Sequence, residues 1–126
     1  MLSNAQIGPT LPAVDINRAK KFYSEVLGLK ESAAQEPGGV TYDCGKGTQL
    51  YIYERPAVKV EHTLASWIVE DLESEMSELR GRGLVFEEYD FPGLKTENGV
   101  AKFGEFKACW FKDSEGNILG IGQYQK

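Results

Sequence analysis

The stretch "FKDSEGNILGIGQ", Phe111 to Gln123, decides the fold, because a weaker copy of it stands earlier in the chain. Its first eleven residues align with "YDCGKGTQLYI", Tyr42 to Ile52, at an offset of 69, pairing Leu50 with Leu119 and Tyr51 with Gly120. In each copy a glycine-containing turn leads into a strand-like run. In the later copy Gly120 and Gly122 fall on one face of the last strand. Glycine inside a strand costs conformational entropy and packing, so two on one face suggest that something else needs the space.

Upstream of each copy lies a helix with the same plan. "DINRAKKFYSEVLGL", Asp15 to Leu29, places Ile16, Ala19, Phe22, Tyr23, Val26 and Leu27 on one helical face, with Asp15 as N-cap and Gly28 as stop. "DLESEMSELRGRGL", Asp71 to Leu84, repeats this with Asp71 as cap, Glu73 and Glu75 near the positive helix start, and Leu72, Met76 and Leu79 facing inward. Strands are expected at Gly8–Val14, Gly39–Cys44 and Thr48–Glu54 in the first half. In the second they are expected at Thr63–Glu70, Val85–Tyr89, Glu105–Phe111 and Ile118–Gln123. The fold class is therefore α+β, two β-α-β-β-β modules that pair because neither half is long enough to bury a good core alone. Module one spans about 6–56 and module two about 62–126 of a single 126-residue domain.

The bulk numbers remove several function classes. A net charge of −5 opposes a phosphate backbone and argues against nucleic-acid binding. No stretch approaches transmembrane length and the first residues lack the pattern of a secretion signal, so no membrane association and a cytoplasmic location are expected. Cys44 and Cys109 sit in apolar segments without zinc or redox spacing and read as buried free thiols. No nucleophile-base set or phosphate loop is present, so no catalytic residue is assigned.

Three segments carry a family resemblance: "LPAVDINRAKKFYSEVLGLK" (Leu11–Lys30), "WIVEDLESEMSELRGRGLVF" (Trp67–Phe86) and "WFKDSEGNILGI" (Trp110–Ile121). In this order and spacing the chain resembles the vicinal oxygen chelate superfamily, the glyoxalase/bleomycin resistance protein/dioxygenase family, with Ser114 where Pro is usual. The resemblance implies paired modules forming an open barrel-like cavity, usually completed in a homodimer. In metal-dependent members, His, Glu or Gln side chains on facing strands hold a divalent cation that polarises the substrate. Mapped onto this chain, those positions are Gly8, Tyr51, Ala65 and Gly120, none of which can ligate as His or carboxylate does. No metal and no cofactor are therefore expected. His62, the sole histidine, and Glu54 stand at the wrong strand parity to substitute, and Glu61 lies four residues before Ala65.

If the four positions face the cavity, alternation brings Thr10, Gln49, Tyr51, Tyr53, Trp67, Gly120 and Gly122 to its wall, with Val69 beside them. That wall is aromatic and mostly uncharged, suited to a small hydrophobic or aromatic molecule. The alternative for Trp67 is that it plugs the pocket. Tyr89–Gly104 is long for a connection and is expected to be a lid, a binding loop or a mobile link, with Lys95 either a solvated lysine or a contact for an anion. The expected function is thus metal-independent small-molecule binding. Two alternatives stay open: a glyoxalase-type metal-dependent lyase, isomerase or dioxygenase with displaced ligands, and a non-catalytic accessory module with a vestigial cavity.

Overall fold

The computed structural model describes residues 1–35 and 37–124. Gln125 and Lys126, at the end of the second module, lie outside the described residues. The chain divides into two compact units, Met1–Lys59 and Val60–Lys126.

The first unit runs β1 (Thr10–Ala13), α1 (Ile16–Lys21), β2 (Lys30–Glu31), β3 (Gly39–Asp43) and β4 (Gln49–Glu54). Asp15 caps α1 as its sequence position predicts, its Oδ1 accepting from the N–H groups of Asn17 at 3.1 Å and Arg18 at 3.0 Å. The helix continues past Lys21 as one π turn, Phe22–Val26, where Leu27 N–H donates to the Phe22 carbonyl five residues back. Gly28 then takes a φ of 71°, the left-handed stop that a side chain would resist. The sheet order is β1-β4-β3-β2, with β1 parallel to β4 and the other pairs antiparallel. Leu11, Ala13, Val40, Tyr42, Leu50 and Ile52 alternate onto one face and are buried with Ala19 and Tyr23 of the helical segment. The Tyr23 and Tyr42 rings stack there at 5.9 Å.

The second unit repeats the order: β5 (Thr63–Ile68), α2 (Leu72–Gly81), β6 (Asp90–Phe91), β7 (Leu94–Lys95), β8 (Ala101–Phe103), β9 (Phe106–Lys112) and β10 (Ile118–Tyr124). Its four-stranded sheet is ordered β5-β10-β9-β8, with β5 parallel to β10. Asp71 Oδ1 accepts from Ser74 N–H at 3.1 Å, and Leu72 N–H donates to Gln123 Oε1 at 2.7 Å, tying the start of α2 to β10. Leu72, Met76 and Leu79 are buried, as are Cys109, Phe111, Leu119 and Ile121 on the strands. Among the described residues no buried side-chain nitrogen or oxygen lacks a hydrogen-bond partner. Among the described residues no helix is long and apolar enough to cross a membrane.

Two expectations need correction. Val85–Tyr89 is not a strand: among the described residues its backbone meets the sheet at a Phe86–Phe111 bridge and a 2.8 Å bond from Glu87 N–H to the Trp110 carbonyl. The edge strand is β8, which pairs Ala101, Lys102 and Phe103 with β9. The second is the reading of Tyr89–Gly104 as one long connection. The segment folds as the β6–β7 hairpin followed by a two-residue turn, Asn98-Gly99, closed by reciprocal 2.9 and 3.0 Å bonds between Glu97 and Val100. Glu88 Oε1 pins this segment by accepting from Thr96 Oγ1 at 2.5 Å and Gly99 N–H at 2.9 Å. The order comes from one carboxylate satisfying two donors, which the polar composition of the stretch conceals.

Cys109 is fully buried, and burial pushes its thiol pKa up to about 12. Thiolate is the nucleophile, so a thiol reagent at pH 8 is expected to label one cysteine, the half-buried Cys44, in the native protein and two in denaturant. Two labels at equal rates in the native state would contradict the core packing. The same shift has a sign. The unfolded thiol ionises near its ordinary 9.0 and the folded one near about 12, so this group removes stability as pH rises through that interval.

Candidate functional site

On the first sheet, the face opposite α1 is organised in three rungs. Register sets Asp43 beside Gln49, Thr41 beside Tyr51 and Thr10, and Gly39 beside Tyr53 and Pro12. Thr10, Gln49, Tyr51 and Tyr53 therefore share a face. The two tyrosine rings are parallel within 3° at a centroid distance of 5.9 Å, and both are half-buried. Tyr51 is held in place, its hydroxyl donating to the Pro37 carbonyl at 2.9 Å. Gln49 is also engaged: its Nε2 donates to Asp43 Oδ1 at 3.0 Å and Ser32 Oγ at 3.2 Å. Thr10 is exposed. The surface offers two aromatic faces, a hydroxyl and an amide.

The second sheet corrects the expected position of Trp67. A one-residue shift in the β5–β10 ladder lies between Ile118 and Leu119, so Ile118 pairs with Thr63 but Leu119 pairs with Ala65. A regular ladder would set Trp67 beside Gly122. The bulge sets it beside Ile121 instead, on the α2 side, where its ring stacks on the buried Phe111 at 6.3 Å and 18°. Ala65 moves with it, to the side of Leu119. Ser66 takes the place beside Gly120. Trp67 thus packs on the core side, and no ligand role remains assigned to it.

Gly120 and Gly122 do lie together on the opposite face, but the protein fills the room beside them. A Cβ on Gly120 would stand 2.9 Å from Ser66 Oγ and 3.4 Å from Trp110 Cδ1. A Cβ on Gly122 would meet the Phe106 ring at 2.3 Å. Neither glycine opens space within its own sheet for a guest. The expectation of vacant room at these two positions is corrected accordingly: the glycines accept the protein's own rings.

The residue that sequence reasoning missed is Trp110. It pairs with Gly120, is half-buried, and has Tyr89 at 5.7 Å and Phe103 at 6.5 Å, both edge-on. Burial, followed by the charge of Glu87, raises the Tyr89 pKa, so its phenol stays protonated. Counting outward from the Asp113–Asn117 turn would have found Trp110, since Lys112 faces Ile118 and Trp110 faces Gly120.

The divalent cation that the resemblance implies does not fit these residues. Tyr51 and Gly120 stand at two of the four ligand positions, Ala65 lies on the core side, and among the described residues no group of three or more His, Cys, Asp or Glu could hold a metal ion.

No family model matches the sequence, and no curated protein sequence does. Solved structures do match, over nearly their whole lengths. TnmS3, an antibiotic binding protein from Streptomyces sp. CB03234, is 20% identical over 97% of this chain and 98% of its own, with a TM-score of 0.70. A lactoylglutathione lyase from Agrobacterium tumefaciens is 15% identical over 95% and 93%, with a TM-score of 0.69. A glyoxalase/bleomycin resistance protein/dioxygenase from Alicyclobacillus acidocaldarius is 19% identical over 98% and 93%, also at 0.69. A lyase and a binding protein share this likeness, so the fold alone selects neither activity. What the matches establish, with the twice-repeated strand-helix-strand order, is that this chain carries the fold of the glyoxalase/bleomycin resistance protein/dioxygenase structures.

Proposed function

We propose that the protein binds a planar, uncharged aromatic small molecule on the open face of its first sheet, without the family's metal. The observation that carries this reading is the Tyr51–Tyr53 pair: two parallel, half-buried rings, one of them fixed by its bond to Pro37. A ring already held in place loses little freedom when a guest stacks on it, so more of the contact energy appears as affinity. Gln49 and Thr10 border the rings and supply hydrogen bonds for orientation. The antibiotic-binding neighbour supports such a use of the fold.

The test is calorimetric titration with flat polycyclic aromatic compounds, with and without added Zn²⁺ or Ni²⁺. Tyr51→Ala is expected to weaken a stacking guest by a few-fold to about tenfold, since aromatic pairs contribute ~0.5–1.5 kcal/mol beyond area burial. Tyr51→Phe keeps the ring and should retain most of the affinity. Metal should leave the affinity unchanged. Binding that appears only with metal would overturn the proposal and return the metal-dependent lyase, isomerase or dioxygenase reading. The absence of any saturable binder would favour the vestigial-cavity reading.

A further inference from the structure

A pocket of about 510 Å³ opens in the second unit, between α2 and the segment that carries β7 and β8. It is separate from the tyrosine face. Its walls are joined at one point, the Asn98-Gly99 turn. Arg80 of α2 donates to the Asn98 carbonyl at 2.8 Å, and Gly99 sits so close to α2 that a Cβ there would meet Met76 Cε at 3.1 Å. The turn cannot lift away from α2 without losing that bond.

Its charge runs against that of the chain. Arg80, Lys95 and Lys102 line it, against two carboxylates, Glu73 and Glu97. Both oxygens of Glu73 are already taken by Lys107, at 2.7 and 2.9 Å. Lys95 and Lys102 form no ion pair with the described residues. Three cationic side chains against two carboxylates leave a local excess of positive charge in a protein of net charge −5. Val100 and the nearly fully buried Met76 add apolar atoms to the lining.

We propose that this pocket binds a small organic anion, a carboxylate or phosphate ester on a short apolar body. The anionic oxygens meet Lys95 and Lys102, with the guanidinium of Arg80 beside them, and the body rests on Val100 and Met76. The carboxylate and the phosphate ester share this chemistry, and the experiment separates them.

The experiment is a titration of the full chain followed by backbone amide chemical shifts, with hexanoate, hexyl phosphate and hexanol as probes. Saturable shifts at Arg80, Lys95, Val100 and Lys102 are expected with at least one of the two anions, at a Kd of about 1 mM or tighter. Whichever anion binds more tightly identifies the headgroup. Hexanol should bind about tenfold more weakly or not at all. Lys95→Glu/Lys102→Glu should weaken the anion at least about tenfold, and Lys21→Glu in the first unit should not. Raising NaCl from about 0.1 to 1 M shortens the screening length from about 10 to 3 Å and should weaken binding in the unmodified protein, independently of any variant. Shifts scattered over the surface, hexanol binding as well as the anions, or affinity unchanged by the charge reversal would overturn the proposal.

Discussion

Gly39→Ala is expected to destabilise the protein by about 3 kcal/mol or more, seen as a fall in the urea midpoint at unchanged slope. A methyl group there would stand 2.1 Å from the Ile52 carbonyl oxygen and 3.0 Å from the Tyr51 ring. The first of these neighbours is backbone in the middle of β4, between β1 and β3, so it cannot rotate aside as a side chain would. Relief requires pulling β3 off β4 where Gly39 faces Tyr53. Against a typical folding stability of about 5–15 kcal/mol, this is a large share, and for a domain of this size it lowers Tm by about 10 °C or more. Gly45→Ala is the control: nothing lies within 4 Å of its would-be Cβ, and its effect should stay within about 0.5 kcal/mol. The same closeness serves the proposed site. A glycine at position 39 lets the chain from Pro37 lie against Tyr51 and accept its hydroxyl, so Gly39→Ala should also weaken aromatic guests in whatever fraction remains folded.

The two helices were legible because each announces itself locally. A capping Asp, an inward-facing apolar stripe and a Gly stop at Gly28 or Gly83 are decided within about four turns of chain, and the structure realises each of them. The tyrosine face was legible for a related reason. Strand β4 pairs regularly with both neighbours, so alternation alone carries Gln49, Tyr51 and Tyr53 to one side. Trp67 was misplaced because strand parity is a running count, and one added residue inverts everything after it. The shift beside Ile118 leaves no mark in composition: "EHTL" or "TLAS" reads the same with or without a bulge, and only the partner strand shows it. Glu88 was hidden differently, since its two partners, Thr96 and Gly99, lie across a hairpin whose closure is set by tertiary contact.

The glycines of β10 show how a correct inference about need can still miss the beneficiary. Gly120 and Gly122 do yield space, and it goes to Trp110 and Phe106 from the adjacent strand. Seen from sequence, a glycine where relatives of this fold class hold a metal ligand suggests a vacancy. Seen in the sheet, it is the condition for a half-buried indole to lie flat beside the strand. Gly120 thus serves packing against Trp110 and Ser66, and the aromatic character of the two sheet faces rests on Tyr51 and Tyr53 in one unit and Trp110, Tyr89 and Phe103 in the other.

The turn that leads into β10 is held by one buried carboxylate, and Asp113→Ala is expected to cost about 3–5 kcal/mol. Asp113 is 6% exposed and its neighbour in the turn, Asn117, is 2% exposed. One carboxylate oxygen accepts from the N–H groups of Glu115 and Asn117, both at 2.8 Å, and the other accepts from Asn117 Nδ2 at 2.9 Å. Alanine would strand three donors where water reaches poorly, and each unmet buried group costs about 1–3 kcal/mol, with less than full additivity because they share one turn. Asp113→Asn should fall between, since it keeps an acceptor oxygen but presents an NH₂ group to at least one donor. The site-specific readout is hydrogen exchange: the Asn117 amide should lose most of its protection in Asp113→Ala, while Leu50 and Ile52 in the first sheet change only through the global loss. A destabilisation below about 1 kcal/mol, or an Asn117 amide still protected, would mean that the backbone bonds closing the turn, Asp113 N–H to Asn117 O at 2.9 Å and Gly116 N–H to Asp113 O at 3.2 Å, suffice to set the pairing of Trp110 with Gly120.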